Sequence, residues 1–145
     1  MKLLAYEVDK RSFLGIFNED ETWVYPISAA GMEYRSMKDL IREAGPSEME
    51  MLDYISKKAP GDVTGAAPVE EIKIVSPIPE PDQDIICLGI NYMDHAAESA
   101  RFQKEEFARP EKAIYFSKRV NRTNDPDGII PAHKNLTNQL DYEAE

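Results

Sequence analysis

The chain has 145 residues, 42% hydrophobic and 30% charged, with a formal net charge of −10. That composition supports a packed core and excludes wholesale disorder. The acidity argues against nucleic acid and anionic membrane surfaces as partners, because both carry charge of the same sign. The single cysteine, Cys87, leaves no intramolecular disulfide to form, as expected of a protein in the reducing cytosol. No signal peptide is legible. The apolar start Leu3-Leu4-Ala5 is broken by Glu7, and no later stretch approaches the ~20 apolar residues of a membrane span.

Residues 13–17 and 22–25 are β-prone runs separated by Asn18-Glu19-Asp20-Glu21, which predicts a hairpin. Ser36 is placed to cap a helix running to Ala44, which Gly45-Pro46 then stops. Ser47-Glu48-Met49-Glu50 has the form of a capping box opening a second short helix. Met51, Leu52 and Ile55 are its apolar stripe, and Lys57-Lys58 sit at the negative end of its dipole. A small α+β domain over residues 1–70 is expected, carrying structure and no chemistry. Residues 59–69, rich in Ala, Gly and Pro, suggest a connection. Residues 70–75 suggest a strand, and Pro77, Pro79 and Pro81 a stiff extended link. The boundary is expected between about residues 60 and 82, with a second domain over residues 71–145. Its first feature, the apolar run at residues 85–90, predicts a strand buried on both faces.

Two places in this second part have residues suited to chemistry. The run leads into Asn91-Tyr92-Met93-Asp94-His95-Ala96-Ala97-Glu98. Asp94 is a candidate N-cap, and on the helix it starts His95 and Glu98 lie three residues apart on one face. A carboxylate that holds one imidazole nitrogen raises the basicity of the other, which suits a general base. By spacing alone the ordinary surface pair, worth about 0.2–0.5 kcal/mol, is the commoner outcome. The second place is the alternating stretch from Gln139, where Asp141, Glu143 and Glu145 share one face of a strand. Such a face either converges on a divalent cation or keeps an edge strand soluble, and spacing does not choose between them. The polar segment 99–110 is expected to form a mobile lid. His133, in a polar loop with no second ligand at metal spacing, is expected at the surface, and Cys87 is expected buried and inert.

The segment Cys87-Leu88-Gly89-Ile90-Asn91-Tyr92 with His95 and Glu98 resembles the signature of the fumarylacetoacetate hydrolase family, in which Gly-x-Asn-Tyr leads into a His-Ala-x-Glu turn. Ile114-Tyr115-Phe116-Ser117-Lys118 resembles the family's Phe-x-Lys strand. Ile129-Ile130-Pro131 resembles its approach to the metal strand, and Asp141-Tyr142-Glu143-Ala144-Glu145 its Asp-Tyr-Glu-x-Glu motif. The motifs occur in the family's order over roughly residues 72–145, and the small leading domain resembles one found in many members. Arg119 stands where a proline is usual.

The resemblance implies an α+β, mainly β protein, with the small N-terminal domain followed by the first part of a mixed β-roll. It makes Glu143 and Glu145 the first two ligands of Mg²⁺, or of Mn²⁺ or Ca²⁺. It makes His95 and Glu98 the catalytic dyad, with Lys118 close to the site. A third ligand, an aspartate on a later strand, is expected beyond Glu145, so the 145 residues alone are expected to be inactive. All-oxygen ligation suits Mg²⁺ or Mn²⁺ rather than zinc. The implied activity is hydrolysis, decarboxylation or isomerisation of 2-oxo or β-diketo acids, through an enolate stabilised by the cation. A cytosolic homodimer acting in catabolism on a small oxo acid is the corresponding whole-protein expectation. The alternative is a truncated, non-catalytic chain serving as a scaffold or binding subunit.

Overall fold

A computed structural model describes residues 1–89 and 112–140. The chain divides into two compact units, Met1–Pro79 with Thr123–Ile129, and Glu80–Arg122 with Ile130–Glu145. The class is α+β.

In the first unit β1 (Leu3–Val8), β2 (Arg11–Phe17) and β3 (Trp23–Pro26) form an antiparallel meander. The β2–β3 pair is the hairpin expected from the sequence, with Ile16 opposite Tyr25 and Phe17 opposite Val24. β1 has no counterpart among those expectations. It enters β2 through Asp9-Lys10, both in the left-handed region at φ 49° and 63°. A two-residue turn with both central φ positive has the twist that flanking strands need, but Asn-Gly is its usual sequence and is absent here. The stretch at residues 59–69 is more than a connection. Val63 is buried, and β4 (Ala67–Pro68) pairs with β3 at the sheet edge, where the missing N–H of Pro68 is tolerated. At residues 70–75 the strand is confined to β5 (Lys73–Val75), after a 3-10 turn at Val69–Glu71; β5 closes the other edge against β1. The strand order is β4-β3-β2-β1-β5.

Helix α1 (Met37–Glu43) starts as its sequence indicates, the Ser36 Oγ accepting the Asp39 N–H at 3.1 Å. Helix α2 (Pro46–Ser56) corrects the expected Ser47–Glu50 capping box. Proline at the first helical position costs no hydrogen bond and has its φ already set. The helix therefore begins at Pro46, with Gly45 as N-cap and Ser47 inside it. Glu48, rather than Glu50, reaches back to the Gly45 N–H at 2.8 Å.

Alternation along the strands gives the sheet two apolar faces. On one, Ile16 and Tyr25 pack with Met37, Leu40, Leu52 and Ile55 from the helices; on the other, Leu4, Tyr6 and Val24 form a smaller cluster. The buried Tyr25 hydroxyl donates to the Lys58 carbonyl at 2.8 Å.

In the second unit β6 (Ile85–Gly89) and β7 (Ile114–Lys118) form an antiparallel ribbon, with Ile85 opposite Lys118 and Gly89 opposite Ile114. The expectation that β6 is buried on both faces does not hold within its described residues. Cys87 is buried, whereas Ile86 is 67% exposed. Among the described residues of this unit, no third strand or helix covers the two faces of the ribbon.

Candidate active and metal site

The proposed dyad His95 and Glu98, the carboxylates Asp141, Glu143 and Glu145, and the expected lid at residues 99–110 all lie outside the described residues. Among the described residues, no group of three or more His, Cys, Asp or Glu side chains is arranged to hold a metal ion.

Lys118 is the candidate site residue that the structure describes. It ends β7, and its ammonium lies 5.6 Å from the Phe116 ring centroid, two residues back on the same face of the strand. A cation over an aromatic face is held there by the ring quadrupole while its head stays in water. The antiparallel register fixes its place along the ribbon. Lys118 pairs with Ile85, at the end where β6 begins, whereas β6 leaves toward His95 from Gly89 at the other end. Four residues of strand separate those ends, roughly 13–14 Å. The ribbon therefore does not bring Lys118 beside the start of the segment that holds the dyad.

The other two residues singled out by the sequence behave as expected. His133 is exposed in a turn at φ 43°, its carbonyl accepting the Leu136 and Thr137 N–H groups at 2.8 and 3.1 Å. Cys87 is buried in β6.

Several carboxylates of the first unit have lowered pKa values, each with a structural cause. The Gly45 N–H, and then the Tyr34 hydroxyl, hold Glu48 below the ordinary carboxylate range. The hydrogen bond from Lys57, at 2.6 Å, does the same for Asp53. Asp20 is lowered chiefly by the Thr22 side chain within the β2–β3 turn. Among the described residues, none of them belongs to a group of three or more acids, histidines or cysteines that could hold a metal ion. No functional assignment for this unit follows from its sequence, and its electrostatics supply none. No helix among the described residues is long and apolar enough to cross a membrane.

Residues 84–145 match the family model described as fumarylacetoacetate (FAA) hydrolase C-terminal. The whole chain is 38% identical over 155 aligned positions to a Bacillus subtilis protein named oxaloacetate tautomerase YisK, covering 50% of that protein. It is 27% identical over 155 positions to an uncharacterized protein of Staphylococcus epidermidis and 27% over 157 to one of Staphylococcus aureus, covering 49% of each. The chain thus spans about half the length of the curated relatives it matches.

Proposed function

From the match of residues 84–145 to the fumarylacetoacetate hydrolase model and the 38% identity to a family relative, we propose that the whole protein is a divalent-metal-dependent enzyme of that family, interconverting the keto and enol forms of a 2-oxo dicarboxylic acid such as oxaloacetate. The observation that supports this most is the 38% identity, across all of this chain, to a protein named for that reaction.

In this reading the carboxylates of Glu143 and Glu145 hold the cation. Their donor chemistry fits, since oxygen-only ligands favour Mg²⁺, Mn²⁺ or Ca²⁺. When bound, the ion acts as a Lewis acid toward the negative charge that develops on the 2-oxo oxygen. It also answers the problem of an anionic substrate meeting a chain of net charge −10, because the field is reversed where the substrate sits. His95 takes a proton from the carbon between the ketone and the distal carboxylate, the C–H electron pair moves into the new C=C bond, and the carbonyl oxygen takes a proton from solvent to give the enol while His95 releases its own to solvent. Glu98 orients the His95 ring and stabilises its protonated form. A place for Lys118 near the bound acid rests on the resemblance alone, since the ribbon's register sets it at the end away from Gly89, and it is given no step. Hydrolysis and decarboxylation pass through the same enolate charge, so the residues alone do not separate these reactions; the relative's name favours tautomerisation. We further propose a homodimer in the cytosol, and an N-terminal domain at residues 1–70 followed by a β-roll domain starting at 71.

The experiment is turnover of oxaloacetate by the full-length protein, followed through the ultraviolet absorbance of the enol. Chelation should abolish turnover and Mg²⁺ restore it. Glu143→Gln and Glu145→Gln should lose metal affinity, while His95→Ala should lower turnover by roughly 10²–10⁴ with metal affinity intact. Turnover that survives chelation, or that is unchanged in His95→Ala, sinks the assignment. A folded full-length protein that holds the metal and turns over no oxo acid would favour the scaffold alternative.

A further inference from the structure

We infer that Thr123–Ile129 is a latch that locks the proline-rich link after β5 onto the first unit, so that the intervening stretch Glu80–Arg122 leaves and returns through one pinned base. The residues in contact are far apart in sequence. Ser76 follows β5 directly and is buried. Its backbone N–H donates to Asp125 Oδ1 at 2.9 Å, across a separation of 49 residues. The second Asp125 oxygen lies 3.4 Å from the Lys73 ammonium, which is also 3.8 Å from Glu7.

Thr123 completes the closure. Its hydroxyl donates to the Ile78 carbonyl at 2.9 Å, so its single proton is committed there and the Ser76 hydroxyl must donate to it. The Thr123 N–H donates to the Pro79 carbonyl at 2.9 Å. Four polar groups of the link, two on Ser76 and one each on Ile78 and Pro79, are thus satisfied by Thr123 and Asp125. Pro77 and Pro79 have no N–H, so the link cannot be held by a strand ladder and needs side chains instead. The Ile78 side chain packs against the main core, which seats the link while the polar groups fasten it.

The latch is itself a formed piece of structure. Asp125-Pro126-Asp127-Gly128 is a turn closed by the Gly128 N–H to the Asp125 carbonyl at 2.9 Å, with Asp127 at φ 61°. Proline at the second position and positive φ at the third are the marks of a type II turn. The Asn124 amide donates across it to the Ile129 carbonyl at 3.3 Å, and a Cβ on Gly128 would collide with that amide. Asp125 is therefore presented on a rigid turn, which lowers the entropic cost of its contacts.

Amide hydrogen exchange by NMR on the 145-residue chain tests the latch, with Ser76 and Thr123 as reporters and Ile16 and Val24 in the sheet as references. Asp125→Ala and Thr123→Val should each speed exchange at Ser76 and Thr123 by about tenfold or more while Ile16 and Val24 keep their rates. Asp125→Asn, which keeps an acceptor oxygen, should leave Ser76 close to its original protection. Unchanged exchange at both reporters in both disruptive variants would overturn the inference, as would reporters already unprotected in the parent chain. An equal rise at Ile16 and Val24 would also overturn it, since the segment would then be a core element of the sheet rather than a separable latch.

Discussion

A single carboxylate joins two parts of the helical layer. Glu48 accepts the Gly45 N–H at 2.8 Å through one oxygen and the Tyr34 hydroxyl at 2.7 Å through the other. Both bonds favour the charged form, so its pKa is lowered, led by the Gly45 contact, while the Tyr34 phenol is raised, led by its bond to Glu48. A carboxyl whose pKa is lower folded than unfolded adds stability above the unfolded value, and that contribution is lost as pH falls through the folded one. The melting temperature of Glu48→Ala should therefore lie below that of the parent at pH 7. The difference should shrink below about pH 4.3, the unfolded value, and vanish under more acid conditions. Thermal melts of both proteins between pH 2 and 7 provide the check, and a difference independent of pH would show that Glu48 acts by packing alone.

Among the elements, β2 is the central strand and depends on one missing side chain. A Cβ at Gly15 would stand 2.9 Å from the Tyr25 carbonyl oxygen, from the Tyr6 ring and from Val24, so neighbours on both flanking strands close over it. Gly15→Ala should cost about 1–3 kcal/mol in denaturant unfolding, whereas Gly61→Ala, with open space at its Cβ, should fall within about 0.5 kcal/mol of the parent. Equal effects at the two positions would count against this packing. The elements also explain what was legible in advance. The Ser36 cap and the β2–β3 hairpin were legible because their signals are local. The start of α2 was misread because Gly45-Pro46 both stops one helix and opens the next, and the opening role dominates. β1 was missed because Asp9-Lys10 makes a glycine-type turn without glycine. In the site region, spacing could not separate the His95/Glu98 pair from an ordinary helix-surface pair, nor the alternating acids from a charged edge; the functional reading of both rests on the ordered motifs and their resemblance to the family. The pairing of Ser76 with Asp125 leaves no local pattern at all, since 49 residues separate the partners.

At the scale of the molecule, the second unit presents apolar surface. Ile86 and Tyr115 are 67% and 68% exposed on one face of the β6–β7 ribbon, and in water such a face favours association. In the proposed metal site, the carboxylates of Glu143 and Glu145 alone fall short of the near-octahedral oxygen shell that Mg²⁺ demands. The 145-residue chain alone should accordingly bind Mg²⁺ weakly by calorimetry and self-associate in sedimentation, and a monodisperse monomer with tight one-to-one Mg²⁺ binding would contradict both expectations. The latch adds an order of events. On a ribosome adding about 5–20 residues per second, Asp125 is made roughly 2.5–10 s after Ser76. Throughout that interval the nascent first domain has its sheet residues in hand and its link unfastened. The Ser76 amide is then open to water, and the backbone beside Pro77 and Pro79 is within reach of chaperones and proteases. Maturation of the N-terminal part thus waits on codons that come well after its own.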